Sequence, residues 1–309
     1  PVIRENADKC KCSVKFWPTP GGAQAGLTIN LSYGLGGTAE HPLVYDVDPE
    51  IQKWLTNKDF RIALSQAVDR QRINEVVFLG LGTVSQGGFI KGHPFYPGDD
   101  YQYKYTAQDI TESNRILDGL GLDKKDSEGF RLRSDGSGDT LIFELSYIAN
   151  YFIDYESIAE LTKEDFDKIG IKTFLKAEDV KLYADRRANN DHMLMAGGGG
   201  AAGARFPSNL TEWFSIGAAY RNWYTGAQDA YAAGNPVAEP TDPNILRLAT
   251  LTDEAKLLRY GDRVENYIET QRIMIDNMYS IGFVGGTPAF NGVVVLKDYF
   301  KNVPEIAPN

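Results

Sequence analysis

An α/β fold is what the sequence predicts, and three observations carry that expectation. From residue 140 to residue 196 strand-like and helix-like segments alternate as β-α-β-α-β, the order that lays parallel strands side by side under crossover helices. A pair of short amphipathic helices stands ahead of that block, and a long helical segment with two strand-like runs follows it. The 309 residues are 42% hydrophobic and 24% charged, enough apolar material for one large domain or two ordinary ones.

Each element follows from local pattern. Residues 13–17 and 27–34 alternate as strands do, with a Pro- and Gly-rich stretch between them. Phe60, Ala63, Leu64, Ala67 and Val68 then form one apolar helical stripe, and Ile73, Val76 and Val77 form a second that stops at Gly80. Asp69 between the two suits an N-cap, because its carboxylate can accept free amides at the next helix start. Arg70 and Arg72 are expected to point outward or pair with nearby acids, and Trp54 to pack beneath the first helix. Residues 87–105 read as an aromatic, Pro- and Gly-rich loop. Thr106-Ala-Gln-Asp109 has the form of a capping box and opens a helix through Leu120 that Gly121 ends.

In the middle block, residues 140–147 read as a strand, and Ile158, Leu161, Phe166 and Ile169 mark a helix closed by Gly170. Residues 171–176, 178–190 and 192–196 follow as strand, helix and strand. Coil is expected over much of 201–242. Then come a helix from 253 to about 277, interrupted near Gly261, and strands near 281–284 and 293–296. No internal repeat is present.

Charge and composition exclude several functions. A net charge of -10 and a pI near 4.9 leave little basic surface for neutralising phosphate, against a nucleic-acid partner. No apolar run reaches the roughly 18 residues needed to cross a bilayer. Seventeen Tyr against four Trp and three His fit a surface that touches polar organic ligands as well as a half-buried core. Cys10 and Cys12, placed on one strand, read as two plain thiols or a strained pair, with no His or further Cys to complete a zinc site. The first residues carry neither a basic n-region nor an apolar h-region nor an initiator Met, and Pro1 reads as a cut inside a longer protein.

Candidate chemistry is sparse. Gly198-x-Gly200-x-x-Gly203 has the letters of a dinucleotide fingerprint. However, it follows the third strand of the block, Pro207 soon interrupts, and no strand-terminal acid follows. Its position is informative all the same, since ligands of open α/β sheets sit beyond the carboxyl ends of the strands. Glycines there let backbone amides approach a ligand. Asp135–Thr140 reads as a turn and not a calcium loop, because Thr140 stands where Gly is required. His41, His93 and His192 lie far apart, with no metal motif and no catalytic constellation. Trp213 and Trp223 flank an aromatic stretch whose indoles could stack on a sugar ring, bury a peptide side chain or serve the core.

The stretch FRIALSQAVDRQRINEVVFLGLG resembles the signature of bacterial extracellular solute-binding proteins of family 5. These are the oligopeptide-, dipeptide-, nickel- and oligosaccharide-binding components of ABC importers. Arg61, Ala63, Leu64, Ala67, Asp69, Arg70 and Gly80 match the signature's Arg-x-Ala-Leu-x-x-Ala-x-Asp-Arg run and Gly-rich end. YTAQDITESNRILDGLGL and the closing Asn302-Val-Pro-Glu305 resemble later parts of the family's pattern.

The resemblance implies a periplasmic-binding-protein-like type II lobe. Residues 54–277 would be the second α/β lobe of a two-lobe clamp, with 1–53 crossing from a first lobe and 278–309 returning to it. It further implies a monomer without cofactor or catalysis, periplasmic or extracellular, that hands a small solute to membrane permease subunits. A signal region outside this chain would be the route to any lipid anchor. The expected ligand wall is Gly197, Gly198, Gly199, Gly200, Arg205, Trp213, Trp223 and Tyr224. Peptide-binding members carry an Asp in the loop after the strand at 192–196. Here residues 197–205 hold no acid and offer Arg205, which favours a carbohydrate-like ligand over an oligopeptide. The alternative is a secreted carbohydrate-active enzyme domain. The Asp69–Arg70 corner is expected to do no chemistry and to fix two helices at the base of the lobe.

Overall fold

The computed structural model describes residues 5–16, 18, 23–198, 215–289 and 292–303. A short helix α1 (Ala7–Cys10) leads into strand β1 (Cys12–Phe16). The cysteines do not share a strand, as the sequence suggested. Lys11 between them takes a left-handed φ of 49°, the chain turns there, and Cys10 and Cys12 are joined as a disulfide with Cα atoms 5.3 Å apart. Strand β2 (Ala23–Ile29) follows.

Three helices come next. In α2 (Pro49–Thr56) Asp48 caps the start, Pro49 fits the first turn, and Trp54 is buried with its indole N–H on Glu50. Asn57 caps α3 (Lys58–Ala67). Asp69 caps α4 (Arg70–Phe78) as expected, its carboxylate accepting from the Arg72 amide at 2.9 Å. Leu79 and Gly80 end that helix, both with positive φ. Arg72 meets Glu164 at 2.6 Å, in line with the sequence.

Arg70 contradicts the sequence reading, because only 2% of it is exposed. Its guanidinium donates to the carbonyls of Gly282 (2.8 Å), Ser65 (2.7 Å) and Thr106 (3.1 Å) and to the Ser65 hydroxyl (2.7 Å). A cation can sit inside because each of its three nitrogens finds an oxygen. Arg61 repeats the device one helix earlier, donating to the carbonyls of Leu55, Asn277 and Met278. Burial lowers both guanidinium groups, Arg61 to about 10 and Arg70 to about 9.

Strand β3 (Thr83–Val84) and the single turn α5 (Asp99–Gln102) precede α6 (Ile110–Gly119). The cap of α6 is Asp109, which accepts from the Glu112 amide at 2.8 Å. Thr106 caps nothing: its hydroxyl donates back to the Tyr103 carbonyl, and the helix starts one turn later than the capping-box pattern predicts. The Asp135 turn forms as expected, with the Ser137 amide on the carboxylate at 3.0 Å.

The middle block is β4 (Ile142–Ile148), α7 (Tyr155–Lys168), β5 (Lys172–Glu178), α8 (Val180–Ala188) and β6 (Leu194–Gly197). Its strands are parallel, Leu145 lying opposite Leu175 on one side and Leu194 on the other. Where coil was expected beyond residue 217, helix α9 (Ala218–Ala232) forms, kinked at Gly226 with φ 148°. Its buried face is Ala218, Ala219, Tyr220 and Asn222, too small and polar a stripe to register as periodic. Helix α10 (Pro243–Leu257) starts earlier than the sequence suggested, at an Asp242 cap. A 3-10 turn (Tyr260–Arg263) supplies the expected interruption before α11 (Val264–Asp276). Strands β7 (Ser280–Gly285) and β8 (Val293–Lys297) close the chain.

Two sheets result. The six-stranded one runs β3-β7-β2-β6-β4-β5, mixed because β2 is antiparallel to both β6 and β7. The small one pairs β1 with β8, antiparallel. Between the large sheet and the helices lies the main core, in which Trp54, Phe60 and Phe143 pack with centroids 5.5 and 5.3 Å apart. Among the described residues, no helix is long and apolar enough to cross a membrane.

Candidate functional site

Register decides which edge of the large sheet matters. The parallel strands β4, β5 and β6 finish at Ile148, Glu178 and Gly197. Gly26 lies opposite Gly197, and Ala23 opposite Gly285. The start of β2 and the end of β7 therefore lie at the same edge as those carboxyl ends. There the chain passes from the small sheet into the large one and back again. The Gln24 side chain ties the two passages: its amide donates to the Thr287 carbonyl at 3.3 Å, and the Thr287 amide donates to its oxygen at 2.7 Å.

Tyrosines line this edge. Directly after β4 the backbone turns through Asn150 at a φ of 54° and presents Tyr151 and Phe152. Phe152 is 59% exposed and Tyr151 37% exposed. The rings are braced, with Tyr151 against Phe152 at 4.3 Å and stacked on the buried Tyr155 at 5.5 Å and 15°. Gly197 and Gly198 lie beside two further phenols. A β-carbon on Gly197 would come within 3.0 Å of Tyr183 Oη, and one on Gly198 within 3.6 Å of Tyr155 Oη. A side chain at Gly197 would thus have to push the Tyr183 hydroxyl aside; Gly197 itself is buried and Gly198 half-buried. Neither hydroxyl hydrogen-bonds to another described residue. Burial raises both phenols, Tyr183 to about 12, so both stay neutral.

The acids at this edge are engaged. Asp154 caps α7, accepting from the Ser157 amide and hydroxyl, and Asp179 caps α8, accepting from Lys181 and Leu182. Glu156 accepts from the Tyr147 hydroxyl at 3.1 Å. Glu178, at the end of β5, pairs with Arg186, which also meets Glu144 at 2.6 Å and Asp191 at 3.1 Å. Among the described residues, no group of three or more His, Cys, Asp or Glu is placed to hold a metal ion.

Of the residues singled out in the sequence, Gly197 and Gly198 stand at this edge. Gly199, Gly200, Arg205 and Trp213 lie outside the described residues. Trp223 and Tyr224 belong to α9, whose start is tied to Ser32 by the Ala219 amide at 3.3 Å. Ser32 lies beyond the end of β2, toward the edge where β6 begins, and so α9 starts at the opposite side of the sheet. Trp223 is half-buried against the core, and Tyr224 donates to Asp253 at 2.7 Å and accepts from Lys256 at 2.8 Å. No described contact joins either to Gly197 or Gly198. Sequence reasoning missed Tyr151, Phe152, Tyr155 and Tyr183. The signal was the run ANYFIDY (residues 149–155) immediately after a strand of the parallel block.

Comparison with known proteins bears on the family and the fold. A periplasmic alpha-galactoside-binding protein of Rhizobium meliloti is 24% identical over 260 residues, which is 82% of this chain and 35% of the relative. The oligopeptide-binding protein OppA has a similar fold, with a TM-score of 0.78 at 22% identity, over 99% of this chain and 47% of that one. So has the periplasmic binding protein MelB of Agrobacterium fabrum C58, solved with stachyose, with a TM-score of 0.68 at 17% identity over 95% of this chain and 41% of that one. An oligopeptide ABC transporter binding protein of Thermotoga maritima, solved with mannohexaose, gives 0.59 at 18% identity over 96% of this chain and 50% of that one. The chain thus spans about half or less of the length of the proteins it resembles. Its fold is that of a type II periplasmic binding protein in part. The profile described as bacterial extracellular solute-binding proteins, family 5 Middle, matches residues 9–221, and the chain belongs to that family of binding proteins.

Proposed function

We propose that this chain supplies the second lobe of a two-lobe solute-binding protein that delivers oligosaccharides to an ABC permease, the lobe extending beyond the expected residues 54–277 because strands β2 (Ala23–Ile29) and β7 (Ser280–Gly285) lie inside its sheet. Residues 1–53 and 278–309 then carry the two crossings to and from the first lobe. The protein works outside the cytoplasmic membrane as a monomer, traps its ligand by closure of the lobes, and performs no catalysis. One observation carries the reading: both crossings leave the large sheet at the edge where the parallel strands end, beside Gly197, Gly198 and the tyrosines. A ligand held there touches both the strand ends and the hinge. Gly199, Gly200, Arg205 and Trp213 would continue the wall, and Trp223 and Tyr224 lie on α9, which starts beyond the end of β2.

Membership of the family supports binding, and three relatives named for or solved with α-galactoside, stachyose and mannohexaose support a saccharide. The absence of an acid from residues 197–205 removes the partner an α-amine would need. Calorimetric titration of the protein at its full natural length tests this. Stachyose or mannohexaose is expected to bind reversibly and be recovered intact. Binding of tri- or tetrapeptides with no saccharide bound would overturn the carbohydrate assignment. Cleavage of the sugar would favour the enzyme reading.

A further inference from the structure

We propose that the cavity at the far edge of the large sheet, between the end of β2 and the starts of α2 and α10, is a second ligand site, one that takes a small organic carboxylate with an apolar body. The inference does not rest on the saccharide reading, and it concerns the edge opposite the carboxyl ends of the parallel strands. Register fixes the place. Thr28 lies opposite Ser280 and Ile29 opposite Leu194, so the chain leaving β2 and the chain entering β7 both lie where β6 begins. Past that edge Leu31 and Leu35, in the turn after β2, together with Pro49 of α2 and Ile245 of α10, give a cavity of about 410 Å³ its apolar lining. That volume suits a small molecule. The turn is braced, since the Gln52 side-chain amide donates to the Tyr33 carbonyl at 2.9 Å.

The polar lining is unbalanced in charge. Arg61 and Lys53 bring two cations to the cavity, and Asp242 brings one acid. The acid is committed: it caps α10, accepting from the Asn244 amide at 2.8 Å, and it also accepts from the Tyr279 hydroxyl. Neither cation forms an ion pair with a described residue. Arg61 is 3% exposed and donates to the carbonyls of Leu55, Asn277 and Met278, which leaves two of a guanidinium's five N–H groups without an acceptor. Lys53 is exposed, donates to the Ser134 hydroxyl at 2.5 Å and lies over the Trp54 ring at 4.3 Å. Tyr220 adds a donor. Only 8% of it is exposed, its hydroxyl makes no hydrogen bond to another described residue, and that oxygen is not sealed away from the cavity. Burial, with Asp242 nearby, raises the phenol, so it keeps its proton. Donors and unanswered positive charge around an apolar wall fit a carboxylate. A sugar would need acceptors as well, and an amine would meet an acid already engaged twice.

The test is a calorimetric titration of the protein at its full natural length with isocaproate and with its neutral amide, isocaproamide, each with and without stachyose. Isocaproate is expected to bind with a Kd of about 1 mM or tighter, and the amide about tenfold more weakly, with stachyose leaving both unchanged. Tyr220→Phe should weaken isocaproate about fivefold and Lys53→Gln about threefold, each with an unchanged unfolding midpoint. Arg61 is left unaltered, because it also holds the chain together. Equal binding of the acid and the amide, or no binding of either at about 10 mM, would overturn the site. So would displacement of isocaproate by stachyose, or full affinity in both variants.

Discussion

Two regions of this molecule treat polar groups in opposite ways. At the helix corner, Arg61 and Arg70 are driven inside and each nitrogen of their guanidinium groups is met by a carbonyl or a hydroxyl. At the strand-end edge, Tyr155 and Tyr183 are equally buried but their hydroxyls meet no described partner. The first arrangement spends its hydrogen bonds on holding the chain together. The second leaves its two phenol hydroxyls without a hydrogen bond to another described residue.

The comparison can be broken most sharply at Arg70. Arg70→Ala takes one donor each from the Gly282 and Thr106 carbonyls and two from Ser65 in a dry site. The loss of stability should be about 4 kcal/mol, read as a lower urea midpoint. A change of less than about 1 kcal/mol would mean that the corner is not the anchor described.

The next effect is linked to pH, at the far end of β6. His192 is buried, neither of its ring nitrogens has a partner, and burial, helped by Arg187 and Arg186, pushes it down to about 3. The folded protein therefore keeps it neutral while the unfolded chain protonates it below its ordinary value near 6.5. Stability from this group is whole above that pH and drains away as pH falls toward the folded value, by up to about 1.4 kcal/mol per pH unit. Comparing the unaltered protein with His192→Leu between pH 7 and pH 5 isolates the term. The variant should lose less stability over that interval, and parallel losses would refute the assignment.

Asp69→Ala, the smallest of these, removes one cap and should lower stability by about 1 kcal/mol. Saccharide affinity of the full-length protein should stay as it was. A specific loss of affinity at normal stability would tie the corner to the binding edge and undo the contrast.

Much of the architecture was readable because local pattern and tertiary outcome agree. Asp69 caps its helix, and the 140–196 block folds as parallel strands with crossovers, since periodicity and turn residues alone determine both. Where several local solutions compete, the sequence misleads. Thr106 and Asp109 can each cap a helix, and the choice fell to Asp109, whose own amide is held by the Gln66 carbonyl, a contact 43 positions away in the chain. Arg70 looked like a surface residue because arginine is usually one. Only the carbonyls of Gly282 and Thr106, invisible from residue 70, permit its burial. Helix α9 carries small and polar residues on its inner face, so no stripe announced it. The glycines at the strand end were legible from position. Tyr155 and Tyr183 beside them belong to separate helices, α7 and α8, that only the sheet brings together.

The tie between Gln24 and Thr287 has a mechanical consequence. Two separate strings between rigid bodies permit twist, shear and swing alike. Once a side-chain amide clasps them in both directions, sliding one string past the other must rupture both bonds, at about 1–3 kcal/mol. Bending the pair together ruptures neither. The clasp therefore resists sliding of the two passages past each other more than it resists their bending together.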